Sequence, residues 1–299
     1  MSMRLRWITM AVAWALTASS AQATQSADPT CPADSVRAGG TCLDRFEESV
    51  WRVPSATTTN AALVSKIRSG TATLADLSAG GATQRGVSSH DYAPCTDNGQ
   101  NCANDLFALS LPSATPAAFI TWFQAQEACA NSAKRMPTNA EWQIGADGTP
   151  DPGPDDGTTD CNSAATGTVS LTGERSRCVS SRGAFDMVGN LDEWVADWVP
   201  AMEICTGWAS FSNDYMCLAG ASETDTHPDA LVRGGSFQAG LRAGPLAIRA
   251  REPFSQPNSR GFRCVRPVPE PGHVAQLLTG VAMLAALARS AQHRNGEPT

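Results

Sequence analysis

The clearest helical pattern lies in the middle of the chain. Thr115-Pro116 offers an N-cap followed by proline at the first helical position. Phe119, Trp122, Phe123 and Ala130 then fall on one helical face, with Gln124 and Asn131 opposite. Gln126 interrupts the apolar face, and the pattern ends near Ser132. A second helix is predicted from Thr138, because Thr138-Asn139-Ala140-Glu141 has capping-box spacing and each side chain can satisfy an exposed backbone amide. Strand patterns are short: one within Leu43–Val53, one over Ala230–Phe237, and one over Gly261–Val265 flanked by glycine and proline. Pro54 to Pro112 is rich in Ser, Thr, Ala and Gly with few periodic segments, and reads as an insertion.

Two apolar runs stand apart at the ends. Arg4 and Arg6 precede an apolar stretch from Trp7 to Leu16, and Ala21-Gln22-Ala23 supplies small residues for cleavage. This is the pattern of an export signal over residues 1–23 rather than of a buried helix. Near the other end, Val268-Pro269-Glu270-Pro271 leads into an uncharged run from Val274 to Ala288, followed by Arg289, His293 and Arg294. The run is slightly short of the ~20 residues that span a bilayer, and the trailing basic residues would stay on the cytoplasmic side. Segment 268–299 resembles a PEP-CTERM sorting signal, which implies recognition and cleavage by a membrane protease of the exosortase type. An ordinary membrane anchor is the alternative. Apolar residues encircle the run with no polar stripe, which argues against a helix packed on the domain.

Composition narrows the rest. The net charge is −7 and the basic residues form no cluster, so no nucleic-acid partner is expected. With 42% apolar residues over roughly 240 positions between the terminal segments, the chain can bury one substantial core. Ten cysteines suit an exported protein with disulfides, and none forms a C-x-x-C pair. Eight of them lie in short loops, Cys31/Cys42, Cys95/Cys102, Cys161/Cys178 and Cys205/Cys217, although spacing alone leaves the connectivity open. The acidic segment Asp151–Gly157 departs from a calcium-binding EF-hand loop in its prolines and missing downstream glutamate, and reads as a solvated turn.

Four segments recur in a fixed order: KRMPTNAEW (134–142), GAFDMVGNLDEW (183–194), VRGGSF (232–237) and RGFRC (260–264). In that order they resemble the formylglycine-generating enzyme, or sulfatase-modifying factor, family. The resemblance implies an α+β fold related to C-type lectins, loop-rich and disulfide-bonded, over residues 42–267 after a disulfide-pinned segment at 24–41. It implies a Cys129–Cys264 bond. It also implies a calcium site at Asp186, Gly189, Leu191 and Glu193, two carboxylates and two backbone carbonyls from a tight loop, a donor set that suits calcium.

The chemistry that the resemblance implies is an oxygen-dependent oxidation of cysteine to formylglycine at copper held by two thiolates. Those cysteines follow the GGS turn in the family, at positions matching Ala239 and Pro245 or its neighbours. No cysteine lies between Leu218 and Arg263, so copper is not expected here. Asp192 also stands where the family commonly carries an aromatic residue. Ser236 and Arg251 match residues beside the family's catalytic centre, and fit equally a turn hydroxyl and a structural ion pair. The expectation is a non-catalytic module, exported and surface-anchored, binding a peptide, glycan or matrix ligand, and touching the membrane through its C-terminal segment before processing. The alternatives are an active formylglycine-generating oxidase for exported sulfatases and a structural component of an extracellular matrix.

Overall fold

In the computed structural model, which describes residues 31–102, 105–151, 155–222, 224–225 and 227–268, the pattern at 43–53 is two strands rather than one. The export-signal segment and the sorting-signal segment beyond Val268 lie outside the described residues. Strand β1 (Ser35–Ala38) turns back onto β2 (Thr41–Asp44), and β3 (Glu48–Arg52) follows. Helices α1 (Ala61–Ser69) and α2 (Leu74–Ala79) precede β4 (Thr83–Arg85) and β5 (Leu106–Ser110). Next come α3 (Trp122–Asn131) and α4 (Asn139–Gly145), then β6 (Asp192–Pro200), β7 (Met202–Ile204), β8 (Met216–Cys217) and β9 (Ala219–Ala221). The chain continues through β10 (Pro228–Arg233), β11 (Ile248–Arg251), β12 (Arg260–Phe262) and β13 (Val265–Pro267). Among the described residues the protein is mostly β-sheet with a few helices.

A five-stranded sheet, ordered β12-β6-β10-β11-β8, carries the centre. Side chains alternate across it as a pleated sheet requires. Trp194, Ala230, Val232 and Phe262 face α3 through Ala125, Ala128 and Cys129. Val195, Leu231 and Ile248 face the opposite way, onto Trp142 of α4 and Leu43 of β2. The sheet β1-β2-β13 ties the start of the described chain to its end, so Ser35–Ala38, expected in a separate leading segment, belongs to the same body.

Three expectations need correction. The segment 54–112, expected to hold few periodic elements, carries two helices: Leu63, Val64, Ile67 and Leu77 of α1 and α2 bury against Phe107 and Leu109 of β5 as a small core of their own. The helices have nine and six residues, too short for a strong periodic signal, although Thr73 and Asp76 make a full capping box. Helix α3 begins at Trp122 rather than Pro116, because Ala117 and Ala118 donate to Glu48 and Gly86 carbonyls and Phe119 takes φ +54°. Thr121 and Gln124 form its capping box. Its buried face is also rotated: Gln124, Ala125, Ala128 and Cys129 point inward while Ala130 is exposed. Gln124 tolerates burial because its side chain accepts from Thr121 N and donates to Cys95 O. Helix α4 starts at the Thr138 cap, with Glu141 closing the box.

All ten cysteines are paired: Cys31–Cys42, Cys95–Cys102, Cys129–Cys264, Cys161–Cys178 and Cys205–Cys217. Among the described residues no helix is long and apolar enough to cross a membrane.

Candidate functional site

Glu193 sits second in β6, paired with Arg233 on one side and Gly261 on the other, and this register aims its carboxylate into the body of the protein. Arg263, just beyond β12, meets both its oxygens through Nε (3.0 and 2.9 Å) and Nη2 (2.6 Å). Trp142 Nε1 donates to the same carboxylate at 2.6 Å. The remaining Arg263 donors reach the Asp44 and Phe185 carbonyls. Three of the four sequence motifs therefore converge on one buried, bidentate ion pair, the arrangement in which a buried arginine is best satisfied.

Two further acids stand close to it. Asp186, at φ +57°, accepts from Gly173 N at 2.7 Å. Glu47 accepts from Leu191 N at 2.9 Å and from the Asn190 side chain. Burial pushes Asp186 up to about 7, against the pull of the Gly173 N–H and the Arg263 guanidinium. Burial, then the charges of Asp186 and Glu193, hold Glu47 well above the usual carboxylate range. Three buried acids thus surround the Arg263 guanidinium, with buried Arg175 also acting on Asp186. Gly189 (φ +76°) closes the loop between them, and a Cβ there would lie 2.4 Å from the Asn162 carbonyl, so only glycine fits.

This arrangement bears on the calcium expectation in two ways. The excess of acid, and a loop offering carbonyls at Gly189 and Leu191, suit a hard divalent cation. The two oxygens of Glu193, however, are already taken by Arg263 and Trp142, and one oxygen of Asp186 accepts from Gly173 N, so Glu193 could join a cation only by releasing a partner. Glu47, which pattern reading missed, belongs to the same cluster. Its signal is an acid pair within a strand-like segment, at Phe46-Glu47-Glu48-Ser49.

A second charged centre lies beside the Cys129–Cys264 bond. Lys134 Nζ, 1% exposed at the side chain, sits 2.6 Å from Asp44 Oδ2, 3.4 Å from Glu48 Oε1 and 3.8 Å from Asp34 Oδ2. Asp44, Glu48 and Cys264 bring potential metal donors together. The ammonium occupies the carboxylates and the sulfur is in a disulfide, so this cluster is structural. Asp155 and Asp156 are likewise engaged. Asp155 accepts four backbone N–H groups, from Gly157, Ser163, Ala164 and Ala165. The Asp155 side chain is thereby enclosed, whereas Asp151 and Asp156 are exposed as a solvated turn requires.

The positions matching the family's catalytic centre are arranged differently. Ser236 is buried in the turn after β10, its hydroxyl accepting from Gln238 N at 3.4 Å. Arg251 ends β11 opposite Ala230, whereas the Ser236 turn follows Arg233 at the other end of that hairpin, so the structure does not bring these two together. Arg251 Nη1 donates to its neighbour's carbonyl, and burial lowers its pKa. Asp192 accepts from Arg249, whose guanidinium lies 4.4 Å over the Tyr215 ring.

Over the 239–246 segment lies the loop closed by Cys205–Cys217, fastened by four hydrogen bonds. Asn213 Nδ2 donates to Leu241 O, Tyr215 N to Arg242 O, Leu246 N to Asp214 Oδ2, and Trp208 Nε1 to Leu246 O. Asp214 is buried, and a Cβ on Gly244 would meet its carboxylate at 2.1 Å. Copper(I) selects thiolates, and every cysteine here is committed to a disulfide, so the residues present do not fit that metal.

Residues 82–268, more than half of the chain, match the sulfatase-modifying factor enzyme 1-like domain, and the chain belongs to that family. The matched span begins after β1 to β3, which complete two of the sheets. Comparison with curated proteins finds no match. Among solved structures, the U1 variant of the Major Tropism Determinant is 18% identical with a TM-score of 0.41, over 79% of this chain and 54% of that one. CarF is 14% identical (TM-score 0.37, 77% of this chain and 87% of that chain). PvdO from Pseudomonas aeruginosa is 17% identical (TM-score 0.36, 76% and 80%). The chain thus spans about half the length of the Major Tropism Determinant.

Proposed function

We propose that this is an exported formylglycine-generating-enzyme-like protein without oxidase chemistry, anchored through its C-terminal segment, that works as a binding module for a peptide, glycan or matrix component. The observation that carries it is the fate of the cysteines. All ten are in disulfides, and the segment matching the copper-binding pair holds none and lies under the Asp214 loop. Five disulfides suit an oxidising compartment, which supports export. A calcium ion at Asp186, Gly189, Leu191 and Glu193 belongs to the same reading, with the structural task of neutralising the acids around Arg263. Family membership alone favours the second reading, an oxygen-dependent oxidase acting on exported sulfatase cysteines. Incubating the protein with a sulfatase-type cysteine peptide, oxygen and copper(I) separates the two. Unchanged peptide mass is expected, and a mass loss from conversion to formylglycine overturns the non-catalytic reading.

A further inference from the structure

The Cys205–Cys217 loop does more than cover the 239–246 segment, because it leaves a pocket of about 290 Å³ between itself and Arg242. Trp208 supplies an aromatic ring, Tyr215 lines the wall with Arg249 and Arg242 over its ring, and Thr206, Ser212 and Asn213 add short polar groups. Arg242 makes no hydrogen bond or ion pair through its guanidinium among the described residues, and only approaches the Tyr215 ring at 5.4 Å. Asp214, buried in the wall, uses one carboxylate oxygen on Leu246 N and leaves the other without a partner. Next in the chain to the lining residues Ser212 and Arg242, Phe211 is 77% exposed, its ring beside that of Trp208, and Leu241 is 57% exposed.

From this geometry we infer that the pocket takes a single sugar ring of an oligosaccharide. The inference rests on the binding-module reading above and narrows it. The Trp208 ring suits packing against the C–H face of a pyranose, while the Arg242 guanidinium and short polar side chains can hydrogen-bond its hydroxyls at the edge. A wall with one cation and one acid favours a ligand of little net charge. The volume, at the lower end for small-molecule sites, suits one ring rather than a long chain. A peptide would be held best by strand addition. The edge strand here, β8, is two residues long and ends in a disulfide-bonded cysteine, which leaves too little edge to extend.

The test uses the full chain with cellohexaose, chitohexaose, maltohexaose and hexagalacturonate, followed by tryptophan fluorescence and saturation-transfer NMR up to about 10 mM, since single-ring sites bind weakly. At least one neutral hexamer is expected to bind. Phe211→Ala and Arg242→Ala, both on exposed side chains whose contacts are with the Trp208 and Tyr215 rings at 6.4 and 5.4 Å, are each expected to weaken it about tenfold with unchanged melting temperature. Failure of all four hexamers overturns the inference, as does binding that neither variant alters. Short peptides that bind instead, and lose binding in the same two variants, overturn it in favour of a peptide site. Formylglycine formation by the same preparation would strike the non-catalytic reading, whereas failure of the sugars without any oxidation strikes this inference alone.

Discussion

Two regions of this molecule use charge in opposite ways. Around Arg263, the signature residues Trp142, Glu193 and Arg263 face inward, fully buried, and each satisfies another. Around Arg242, the guanidinium faces outward from a segment between the VRGGSF and RGFRC motifs that holds no cysteine. The motifs that make the family recognisable therefore describe how the domain is held together. They are silent about chemistry, because the residues that would perform it lie in the second region. A domain match is then strong ground for the fold and weak ground for an activity.

The largest effect expected from breaking this contrast comes from the first region. Replacing Cys129 and Cys264 together with alanine opens a loop with a sequence separation of 135. By the chain-entropy relation the loss is roughly 5 kcal/mol, read as a shift in the denaturant midpoint. A midpoint unchanged by the double substitution would show that the buried ionic contacts alone hold α3 to the last strands. Next comes Arg263→Met, which removes the cation bonded to Glu193 and closest to Glu47 and Asp186 and is expected to cost roughly 3–5 kcal/mol. Arg242→Ala, the counterpart from the second region, should leave the melting temperature where it was. Equal stability losses at Arg263 and Arg242 would dissolve the distinction between the two regions.

Calcium tests the acid excess directly. If the ion binds only the folded state, free calcium a hundredfold above its dissociation constant stabilises by about 2.7 kcal/mol, and chelator removes that. Glu193→Gln should retain part of the calcium effect, because Asp186 and the loop carbonyls remain. Superimposable melting curves in chelator and in excess calcium would leave protons as the neutralising species.

How much of this was visible in the sequence differs between the regions for a physical reason. Capping boxes, glycine turns and the four motifs are local, so the Thr138 cap and the Gly189 loop were legible from residue types and spacing. The Lys134 cluster was not. Its partners Asp44 and Glu48 lie 90 and 86 residues away, and an alternation pattern treats lysine as a surface residue. Glu47 was missed for the same reason, since an acid pointing into a core contradicts the pattern unless its distant partners are known. Thr115-Pro116 misled in the other direction. It is a good local start signal, but tertiary hydrogen bonds from Ala117 and Ala118 hold that stretch extended and delay the helix to Trp122. The pocket beside Arg242 is assembled from two loops and carried no periodic signal at all.

A smaller effect is expected from pH at Asp214. Burial raises its pKa above the usual carboxylate value, with the Leu246 N–H pulling back. The folded state therefore keeps a proton at pH values where the unfolded chain has lost it. This contribution to stability is complete below about pH 3.9 and fades as pH rises through the raised value. Asp214→Asn should flatten that part of the curve of melting temperature against pH. An identical slope in the variant would mean that Asp214 is ionised in both states.

The smallest expected effect is none, and it bears hardest on the comparison. Ala239→Cys with Pro245→Cys returns two thiols to the segment where the family holds copper, and copper(I) binding should improve if they reach each other. Formylglycine formation should still be absent. The Cys205–Cys217 loop remains fastened over residues 241–246, Asp214 fills the space against Gly244, and Asp192 is tied to Arg249 where the family commonly has an aromatic residue. A substrate cysteine needs to reach the metal in near-attack geometry, so ligands alone restore only the first half of the reaction's requirements. Removing the fastening next, with Asp214→Gly in the two-cysteine background, orders the causes. If turnover appears only then, the covering loop is what separates this protein from an oxidase. If it appears with the two cysteines alone, the second region differs from an active site by its ligands and nothing more.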